Sequence, residues 1–393
     1  MTVCNPYSHE FHDDPFPIYR ALRDDAPCYH NPDLDFWALS RYDDVLAALH
    51  DPGTYCSRYG ITLEQDNSLP MLLTTDPPAH TELRRLVSRA FTPRRISDLE
   101  PEIRALARRF LDGLVAKNDG DLVADYAARL PMDVIARMLG VPEADEAQLR
   151  DWTNALLDRE EGKPDVLPAG IDAAINLFKY FNDFVAERRG AVAADNAPDD
   201  LTTALCRSEV AGGAGLGDDQ VVGFLFLLII AGNETTTKLL ANCLLALQLY
   251  PAERAKIAAQ PARIPDAIEE ILRFEGSTQL MARTLTQAVD LHGETMPEGA
   301  KVLLLLGSAN RDERVWDRPD EYDIDRASSV QHVGFGHGIH VCLGAALARL
   351  EMRVSLEEIF RAMPDYEIDE LGCTRVHSGN VRGWASVPIR CRP

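Results

Sequence analysis

The chain has 393 residues, of which 46% are hydrophobic and 26% charged, and these proportions are ordinary for a globular protein with a large core. Its formal net charge of −22 argues against nucleic acid or an anionic membrane surface as the main partner. The eight cysteines show neither metal-finger nor disulfide spacing, the start lacks the features of a signal peptide, and the longest apolar run, 221–231, is too short to span a membrane. We therefore expect a reduced, cytoplasmic protein without a membrane anchor.

Helical periodicity dominates the chain, and we find no internal repeat or linker that would divide it. The stretch 55–70 has no clear period and is predicted to be a long loop, which in a compact protein often carries function. These features predict one mainly α domain with a small β portion over residues 1–393. The predicted helices are 15–25, 42–50, 80–91, 97–114, 130–139, 169–189, 218–250, 264–274 and a last one that ends at 360. The predicted strands are 36–40, 281–291, 299–306, 366–368 and 385–389.

The helix predicted at 218–250 is apolar on every side through its first turns, which is typical of a helix in the middle of a molecule. It nevertheless carries an acid and a hydroxyl, Glu234 and Thr235, which are costly to bury unless they are satisfied. Gly232 weakens the helix there, and a threonine hydroxyl can bond to a carbonyl one turn earlier. The structural alternative is a salt-bridged Glu234 and a Thr235 that only bonds back to its own helix. The residues alone leave both interpretations open.

A glycine-rich turn leads to a single cysteine, Cys342, and an apolar periodic run follows it. The thiol is predicted at or just before a helix N-terminus, where free N–H groups and the helix dipole favour the thiolate. A thiolate is a soft ligand for iron, and Gly344, which has no side chain, would let a flat macrocycle lie against the helix. Two other interpretations are a buried free cysteine and a nucleotide-binding loop, although Gly336-His-Gly338 lacks the third glycine of that motif.

Two further helices carry charged residues at helical spacing. Glu270 and Arg273 lie at i and i+3, and His80 and Arg84 at i and i+4, so each pair shares one helix face. Without other signals, the first would be an ordinary ion pair of little energetic weight and the second a solvated basic helix. The spacing alone does not separate these alternatives from a functional role.

The whole pattern Phe335-Gly336-x-Gly338-x-His340-x-Cys342-x-Gly344 resembles the haem-binding signature of the cytochrome P450 family. The charged motifs of the helices at 80–91, 218–250 and 264–274 resemble other motifs of that family and follow in the right order, as in its soluble bacterial members. The resemblance implies a single-domain cytochrome P450 fold, with haem b buried between the long central helix and the helix after the cysteine loop. Cys342 would then be the axial thiolate ligand of the iron.

The resemblance also implies roles for individual residues. Thr235 would hold dioxygen and water, while Glu234, at a position where many relatives have aspartate, would relay protons. Glu270 and Arg273 would form a structural cluster with Arg326 behind the cysteine loop. Other residues would bind the haem: His80, Arg84, Arg283 and His340 at its propionates, and Phe335, Gly336 and Gly344 within the cysteine loop.

The function that the resemblance implies is a monooxygenase that inserts one atom of O2 into a lipophilic small molecule, most simply by hydroxylation. Electrons would come from a ferredoxin, which a ferredoxin reductase reduces with NAD(P)H. A basic cluster without acidic residues would dock the ferredoxin through Arg84, Arg85, Arg89, Arg94 and Arg95. Substrate would contact the loop 55–73, the segment 377–381 and the residues Leu73, Leu227, Ile230, Ala231 and Gln279.

Three alternatives to this function remain. A peroxygenase of the same fold would use hydrogen peroxide without a redox partner, although the Glu234-Thr235 pair argues against it. A non-catalytic haem-thiolate carrier or sensor would have no need of that pair in a buried helix. A haem-free helical interaction protein would show no haem absorption band.

Overall fold

The computed structural model describes residues 3–63, 71–88, 91–160, 162–163, 165–208, 215–326 and 330–391, and most of them lie in helices, as predicted. The α-helices of this part of the chain are α1 (His9–Asp13), α2 (Phe16–Asp25), α3 (Tyr42–His50), α4 (Ala79–Val87), α5 (Pro93–Asp98), α6 (Glu100–Lys117), α7 (Leu130–Leu139), α8 (Glu146–Leu157), α9 (Pro168–Ala193), α10 (Leu201–Cys206), α11 (Asp218–Leu249), α12 (Pro251–Ala259), α13 (Ile264–Phe274), α14 (Leu306–Ala309) and α15 (Ala345–Ala362).

The β portion is small, as predicted. Its strands, within the same ranges, are β1 (Cys28–Asn31), β2 (Phe36–Leu39), β3 (Tyr55–Cys56), β4 (Asp119–Asp121), β5 (Met281–Leu285), β6 (Val289–Leu291), β7 (Glu294–Met296), β8 (Lys301–Leu304), β9 (Glu367–Ile368), β10 (Thr374–Arg375), β11 (Trp384–Ser386) and β12 (Pro388–Arg390). The largest sheet has the order β1-β2-β8-β5-β3, with β2 and β8 parallel and its other pairs antiparallel. Arg283 pairs with Val302 on its central strands.

The five-stranded sheet is buried on both faces along β2. Because side chains alternate along a strand, Trp37 and Leu39 point into one hydrophobic cluster, and Phe36 and Ala38 point into another. The largest cluster lies among the helices and contains the inner faces of α6, α7, α11, α13 and α15. The helical core therefore stands beside a sheet whose strand β5 can present Arg283 at a fixed position.

Helix α11 runs through the middle of the molecule and packs against α7, α9, α13 and α15. At 1.5 Å per residue it is about 48 Å long. It begins with Asp218 and Asp219 in its first turn, where the helix dipole favours negative charge. Within the described ranges, α11 alone is long and apolar enough to cross a membrane by length and composition, and 67% of its most apolar window is buried inside the protein. Such burial is typical of a core helix.

Several predicted elements are confirmed to the residue. The helices predicted at 42–50, 130–139 and 264–274 are α3, α7 and α13, and α7 ends at Gly140, whose φ of +75° suits glycine. The helix predicted to reach residue 91 ends at Val87 instead, and the strand predicted at 281–291 is divided into β5 and β6. The loop predicted at 55–70 begins with β3, and its residues 64–70 lie outside the described part of the chain. Helices α1, α8, α10, α12 and α14 were not predicted.

Candidate active site

The cysteine loop, residues 334–344, is folded back on itself and fixed against α3. The backbone N–H of Cys342 donates to the carbonyl oxygen of Phe335 at 2.9 Å. Gly336 and Gly338 have φ values of +65° and +70°, which favour glycine over any other residue. A Cβ atom on Gly338 would lie 2.3 Å from the carbonyl oxygen of Leu49. The glycines of the motif are therefore required by the backbone path and by the close approach of α3.

Cys342 lies two residues before Gly344, the N-cap of α15, as the sequence predicted. The residue is exposed, yet burial among protein atoms raises the pKa of its thiol, and the amide of Gly344 and the guanidinium groups of Arg84 and Arg349 only partly oppose that rise. The amide at the helix start does favour the thiolate, as the sequence predicted, but in the free thiol desolvation outweighs this effect. A bound metal cation deprotonates a ligating thiol despite such burial.

Four basic residues that the sequence assigned to one site lie together beside the cysteine loop. The rings of His80 in α4 and His340 lie 4.3 Å apart between centroids, and Nη2 of Arg84 donates to the carbonyl oxygen of Val341 at 2.7 Å. Arg283 in β5 is close enough to lower the pKa of His340 electrostatically. A helix, a strand and the cysteine loop thus bring basic residue types, two arginines and two histidines, to one place.

The two histidines of this cluster have ring nitrogens without hydrogen-bond partners among the described residues. Both ring nitrogens of His80 and Nε2 of His340 are buried with no hydrogen-bond partner in the described part of the chain. Burial, followed by the charges of Arg283, His80 and Arg84, lowers the pKa of His340 to about 3. Burial also lowers the pKa of Arg283 to about 10, and Asp76 offsets only part of that effect. Buried donors in positive surroundings fit a ligand that brings its own carboxylates.

The middle of α11 has one accessible face although the helix is otherwise buried there. Leu227, Ile230, Ala231 and Thr235 are more exposed than most of their neighbours and recur at helical spacing. On the other side, a Cβ atom on Gly232 would lie 3.3 Å from the Ile135 side chain, so α11 and α7 approach each other closely there. The predicted substrate-contacting residues of α11 therefore share a face with the predicted catalytic threonine.

The contacts of Glu234 and Thr235 match the structural alternative stated for them. The Oγ1 hydroxyl of Thr235 donates to the carbonyl oxygen of Ala231 at 2.8 Å, one turn earlier. Oε2 of Glu234 lies 3.3 Å from Nζ of Lys238, and both side chains are 7% exposed. Both residues are satisfied without any ligand, so their catalytic role stays a prediction. Lys238 was not singled out from the sequence, although it lies at i+4 from the acid.

The two remaining predicted substrate contacts differ in their surroundings. Leu73 is half-buried in a short turn that contacts α11. Gln279 is only 3% exposed: its Nε2 donates to the Gly276 carbonyl at 2.7 Å, and its Oε1 accepts from the Tyr19 hydroxyl at 3.3 Å. A Cβ atom on Gly307 would lie 1.9 Å from that Oε1. The amide of Gln279 thus joins three segments of the protein, and its contact with substrate stays a prediction.

The predicted structural cluster of Glu270, Arg273 and Arg326 is present. Nε and Nη2 of Arg273 donate to the two carboxylate oxygens of Glu270 at 2.8 and 2.7 Å, and Nε of Arg326 approaches the same oxygens at 3.1 and 3.2 Å. The three side chains are 5%, 2% and 9% exposed. Arg273 also donates to three carbonyls of the segment 310–321. The cluster ties α13 to the chain that leads into the cysteine loop.

A second ion cluster, missed by the sequence analysis, lies beside the first. Glu269 accepts from Nε and Nη2 of Arg349 at 2.6 and 2.8 Å and lies 3.1 Å from Nε2 of His332. Burial raises the pKa of Glu269, but the hydrogen bonds of Arg349 and His332 outweigh it and lower the pKa to about 2. The Arg349 guanidinium also lies over the ring of Phe335, 4.7 Å from its centroid. This contact gives Phe335 a place in the site.

The basic cluster proposed for docking is divided in the structure. Arg85, Arg94 and Arg95 are exposed, whereas Arg84 is half-buried beside the cysteine loop, where it contacts Val341. Arg89 lies outside the described residues. Arg85 lies in α4, and Arg94 and Arg95 lie at the start of α5. Helix α4 also carries His80 and Arg84.

Comparison with known proteins agrees with this arrangement. The cytochrome P450 family model matches residues 264–363. The chain is 45% identical to the protein designated cytochrome P450 123 in Mycobacterium tuberculosis, over 98% of this chain and 96% of that protein. The chain belongs to the cytochrome P450 family. Vitamin D(3) 25-hydroxylase of Pseudonocardia autotrophica is 37% identical over 98% of this cytochrome P450 and 96% of the hydroxylase. The structure of CYP109E1 from Bacillus megaterium in complex with testosterone aligns with a TM-score of 0.90 at 31% identity, over 98% of this chain and 99% of that one.

These similarities confirm the predicted family and fold class, and they identify this cytochrome P450 as a haem-thiolate monooxygenase that uses O2 and redox partners. The residues present fit the haem. The buried, unpartnered nitrogens of His80 and His340 require partners that propionates can supply. A Cβ atom on Gly344 would meet only Sγ of Cys342, at 4.0 Å, so the space beside the sulfur stays open.

Proposed function

We propose that this cytochrome P450 hydroxylates a lipophilic small molecule with electrons from a ferredoxin. The observation that carries the proposal is the accessible face of α11, where apolar Leu227, Ile230 and Ala231 share one stripe with Thr235. An apolar wall with a single hydroxyl suits a substrate held by packing rather than by many polar contacts. The shape of the pocket would then decide which carbon of the substrate reacts. That carbon would lie near Thr235, whose hydroxyl can orient oxygen and water.

The proposed cofactor is haem b, whose iron would be bound by the sulfur of Cys342. When bound, the haem supplies the iron at which O2 is activated for insertion into substrate. His80, Arg84, Arg283 and His340 would hold its propionates, and Phe335, Gly336 and Gly344 would shape the loop below it. Arg84 has two tasks here, since it also donates to the carbonyl of Val341, next to the ligating cysteine.

Thr235 and Glu234 are proposed to manage protons at the oxygen-binding face. The Thr235 hydroxyl donates to Ala231, and its lone pairs remain free to accept a hydrogen bond from a water molecule held near the reacting oxygen. Glu234 is the ionisable group next in sequence and would replace the protons used at this face. Correct proton placement decides whether oxygen reaches substrate or leaves as hydrogen peroxide.

The substrate class is proposed from the pocket face and is supported by the relatives. A medium-sized lipophilic molecule such as a terpenoid, steroid, macrolide or aromatic fits the apolar stripe. A related structure contains testosterone, and a related enzyme is named for vitamin D(3). We propose the same general class for this chain.

The electron donor is proposed to be a ferredoxin, reduced by its reductase and NAD(P)H, in the cytoplasm. Exposed Arg85, Arg94 and Arg95 form a basic surface on a chain of net charge −22, and such a surface would steer an acidic partner. A peroxide-driven peroxygenase is the second candidate, and the Glu234-Thr235 pair disfavours it because peroxide already carries the protons that this pair would supply. A carrier or sensor would show no turnover at all.

One experiment separates these functions. The purified protein is supplied with a ferredoxin, its reductase and NADH, and a panel of lipophilic compounds is screened by the spin-state change of the haem and by product analysis. Hydroxylated product that depends on NADH and ferredoxin supports the proposal. Equal turnover with hydrogen peroxide alone would indicate a peroxygenase, and spectral binding without any product would indicate a carrier or sensor. A colourless protein would overturn the haem assignment.

A further inference from the structure

The cation within 4 Å of Glu234, in the part of the chain that the structure describes, is Lys238, one turn further along α11. Its Nζ lies 3.3 Å from Oε2 of the acid, and the two residues are 6% and 5% exposed. Removing one partner of a buried ion pair leaves an uncompensated charge, which is far more costly than removing a surface charge. The negative charge of Glu234 is therefore stabilised by the positive charge of Lys238.

The aliphatic part of Lys238 is held by the backbone on its other side. A Cβ atom on Gly383 would lie 2.4 Å from Cβ of Lys238 and 2.8 Å from its Cγ. The backbone just before β11 therefore approaches the lysine more closely than any residue with a side chain would allow. The start of the stem is fixed in this way, which limits the positions that the ammonium can reach, and the ammonium lies 3.3 Å from Oε2 of Glu234.

A second carboxylate also responds to Lys238. Asp158 caps the C-terminal end of α8. Burial raises the pKa of Asp158, and the charges of Arg159, Lys238 and His377 oppose that rise. The ammonium of Lys238 therefore lies near two carboxylates, Glu234 on its own helix and Asp158 at the end of α8, and Arg159 and His377 are further charged or titratable groups around Asp158.

We propose that Lys238 is a positioning residue for Glu234, and that its ammonium holds the carboxylate of the acid towards the next turn of α11. The lysine thereby sets the position from which the acid is proposed to deliver protons towards Thr235. The inference rests on the proposed role of Glu234 in oxygen activation. The infrared and unfolding measurements described next test the ion pair independently of any reaction at the haem.

The first test compares Lys238→Met, Lys238→Arg, Glu234→Gln and the double variant Lys238→Met/Glu234→Gln. Methionine keeps the stem that packs against Gly383 and removes only the charge. Infrared difference spectra at neutral pH should show a protonated carboxyl band in Lys238→Met that is missing from the wild type, from Lys238→Arg and from the double variant. Thermal unfolding should show Lys238→Met to be less stable than the double variant, in which no unpaired carboxylate remains.

The second test measures product formed per NADH across pH. Lys238→Met should lower it on the order of ten-fold and change its pH profile, while Lys238→Arg should restore both, because misplaced proton transfer is costly. Lys163→Met is the matched control, since Lys163 pairs with Glu160 at 3.1 Å but both side chains are more than half exposed. This control should resemble the wild type in every measurement.

The outcomes separate this inference from the proposed function. If Lys238→Met shows no carboxyl band that depends on Glu234 and keeps the wild-type pH profile, Lys238 does not position the acid. If Lys238→Met fails to fold, folding of the double variant supports the inference and its failure to fold overturns it. If the wild type has no haem-thiolate spectrum, the proposed function fails, while the infrared and unfolding results still judge the ion pair.

Discussion

Arg84 in α4 donates a hydrogen bond from Nη2 to the carbonyl oxygen of Val341, 2.7 Å away, and so joins its helix to the residue that precedes Cys342. Burial lowers the pKa of the Arg84 guanidinium, and the nearby thiol of Cys342 opposes that shift. A half-buried arginine of this kind is stabilised further by a carboxylate ligand. The same side chain thus supports the cysteine loop and the proposed propionate site.

We therefore predict that Arg84→Ala lowers haem retention. The ratio of haem absorbance to protein absorbance after purification should fall well below that of the wild type, because a charged donor to the propionate is lost together with a loop contact. Arg85→Ala, on the exposed side of the same helix, is the control and should keep its haem. Equal haem content in both variants would contradict the assignment of Arg84.

The thiolate ligand gives the next prediction. Cys342→Ser should still fold, because serine is close in size, but a hydroxyl is a poor soft-metal ligand. The reduced carbon monoxide complex should therefore lose the absorption that is typical of thiolate ligation. Cys373→Ser, at a half-buried free cysteine elsewhere in the chain, should leave that absorption unchanged. A thiolate-type spectrum in Cys342→Ser would exclude this sulfur as the ligand.

The motif residues could be located from the sequence because their environments are set by short-range rules. Gly336 and Gly338 require positive φ, and Cys342 precedes a helix whose apolar periodicity is strong. The helix of Glu270 and Arg273 has a clear amphipathic pattern. Both ends of α13 could therefore be predicted to the residue. Local spacing thus predicted which residues share one face of a helix. The family resemblance predicted which residues from different segments lie together in one site.

Other features depend on packing that no local pattern records. Helix α8 buries Glu146, Leu149 and Thr153, so its inner face is too polar to show helical periodicity. Gln279 is adjacent to residues expected at the substrate, yet its amide is bound by Tyr19, more than 200 positions away in the chain. The net pKa of the Cys342 thiol is likewise not set by its helix start alone, because desolvation outweighs the Gly344 amide.

The buried cluster around Glu270 predicts a large loss of stability. Glu270→Gln should lower the free energy of unfolding by about 3–5 kcal/mol, since Arg273 and Arg326 would be left as buried cations without their shared carboxylate. Chemical denaturation of wild type and variant measures this difference. Glu321→Gln, whose side chain pairs with Arg318 at the surface, should change stability by less than about 1 kcal/mol. Similar losses in both variants would contradict the role of the buried cluster.

The lowered pKa of Glu358 in α15 leads to a prediction about the stability of the folded protein at acidic pH. Burial raises its pKa, but hydrogen bonds from Arg108, Arg104 and Arg361 outweigh that effect and lower it to about 2. A lowered carboxyl pKa stabilises the folded state above the pKa of the unfolded chain, near 4, and this contribution disappears as pH falls towards 2. Its upper limit is about 3 kcal/mol, and the half-exposed Arg108 and Arg361 reduce it to about 2 kcal/mol.

The measurement for Glu358 is the unfolding free energy of wild type and Glu358→Gln between pH 6 and 2.5. The wild type should be the more stable protein at pH 6, and the gap should close as the solution is acidified. A gap that stays constant over this range would mean that the carboxylate contributes nothing through its charge. A gap that widens in acid would reverse the sign and contradict the arginine contacts as its cause.

Thr235 gives the prediction that bears most directly on oxygen chemistry. In Thr235→Ala, the hydroxyl that shares an accessible face with Leu227, Ile230 and Ala231 is lost, while the helix keeps its backbone bonds. NADH should still be consumed, but more of it should appear as hydrogen peroxide and less as product, because water near the reacting oxygen is no longer held in place. Thr235→Ser, which keeps the hydroxyl, should recover most of the product formed per NADH. If Thr235→Ala forms as much product per NADH as the wild type, the hydroxyl does not direct protons, and its bond to Ala231 is its whole role.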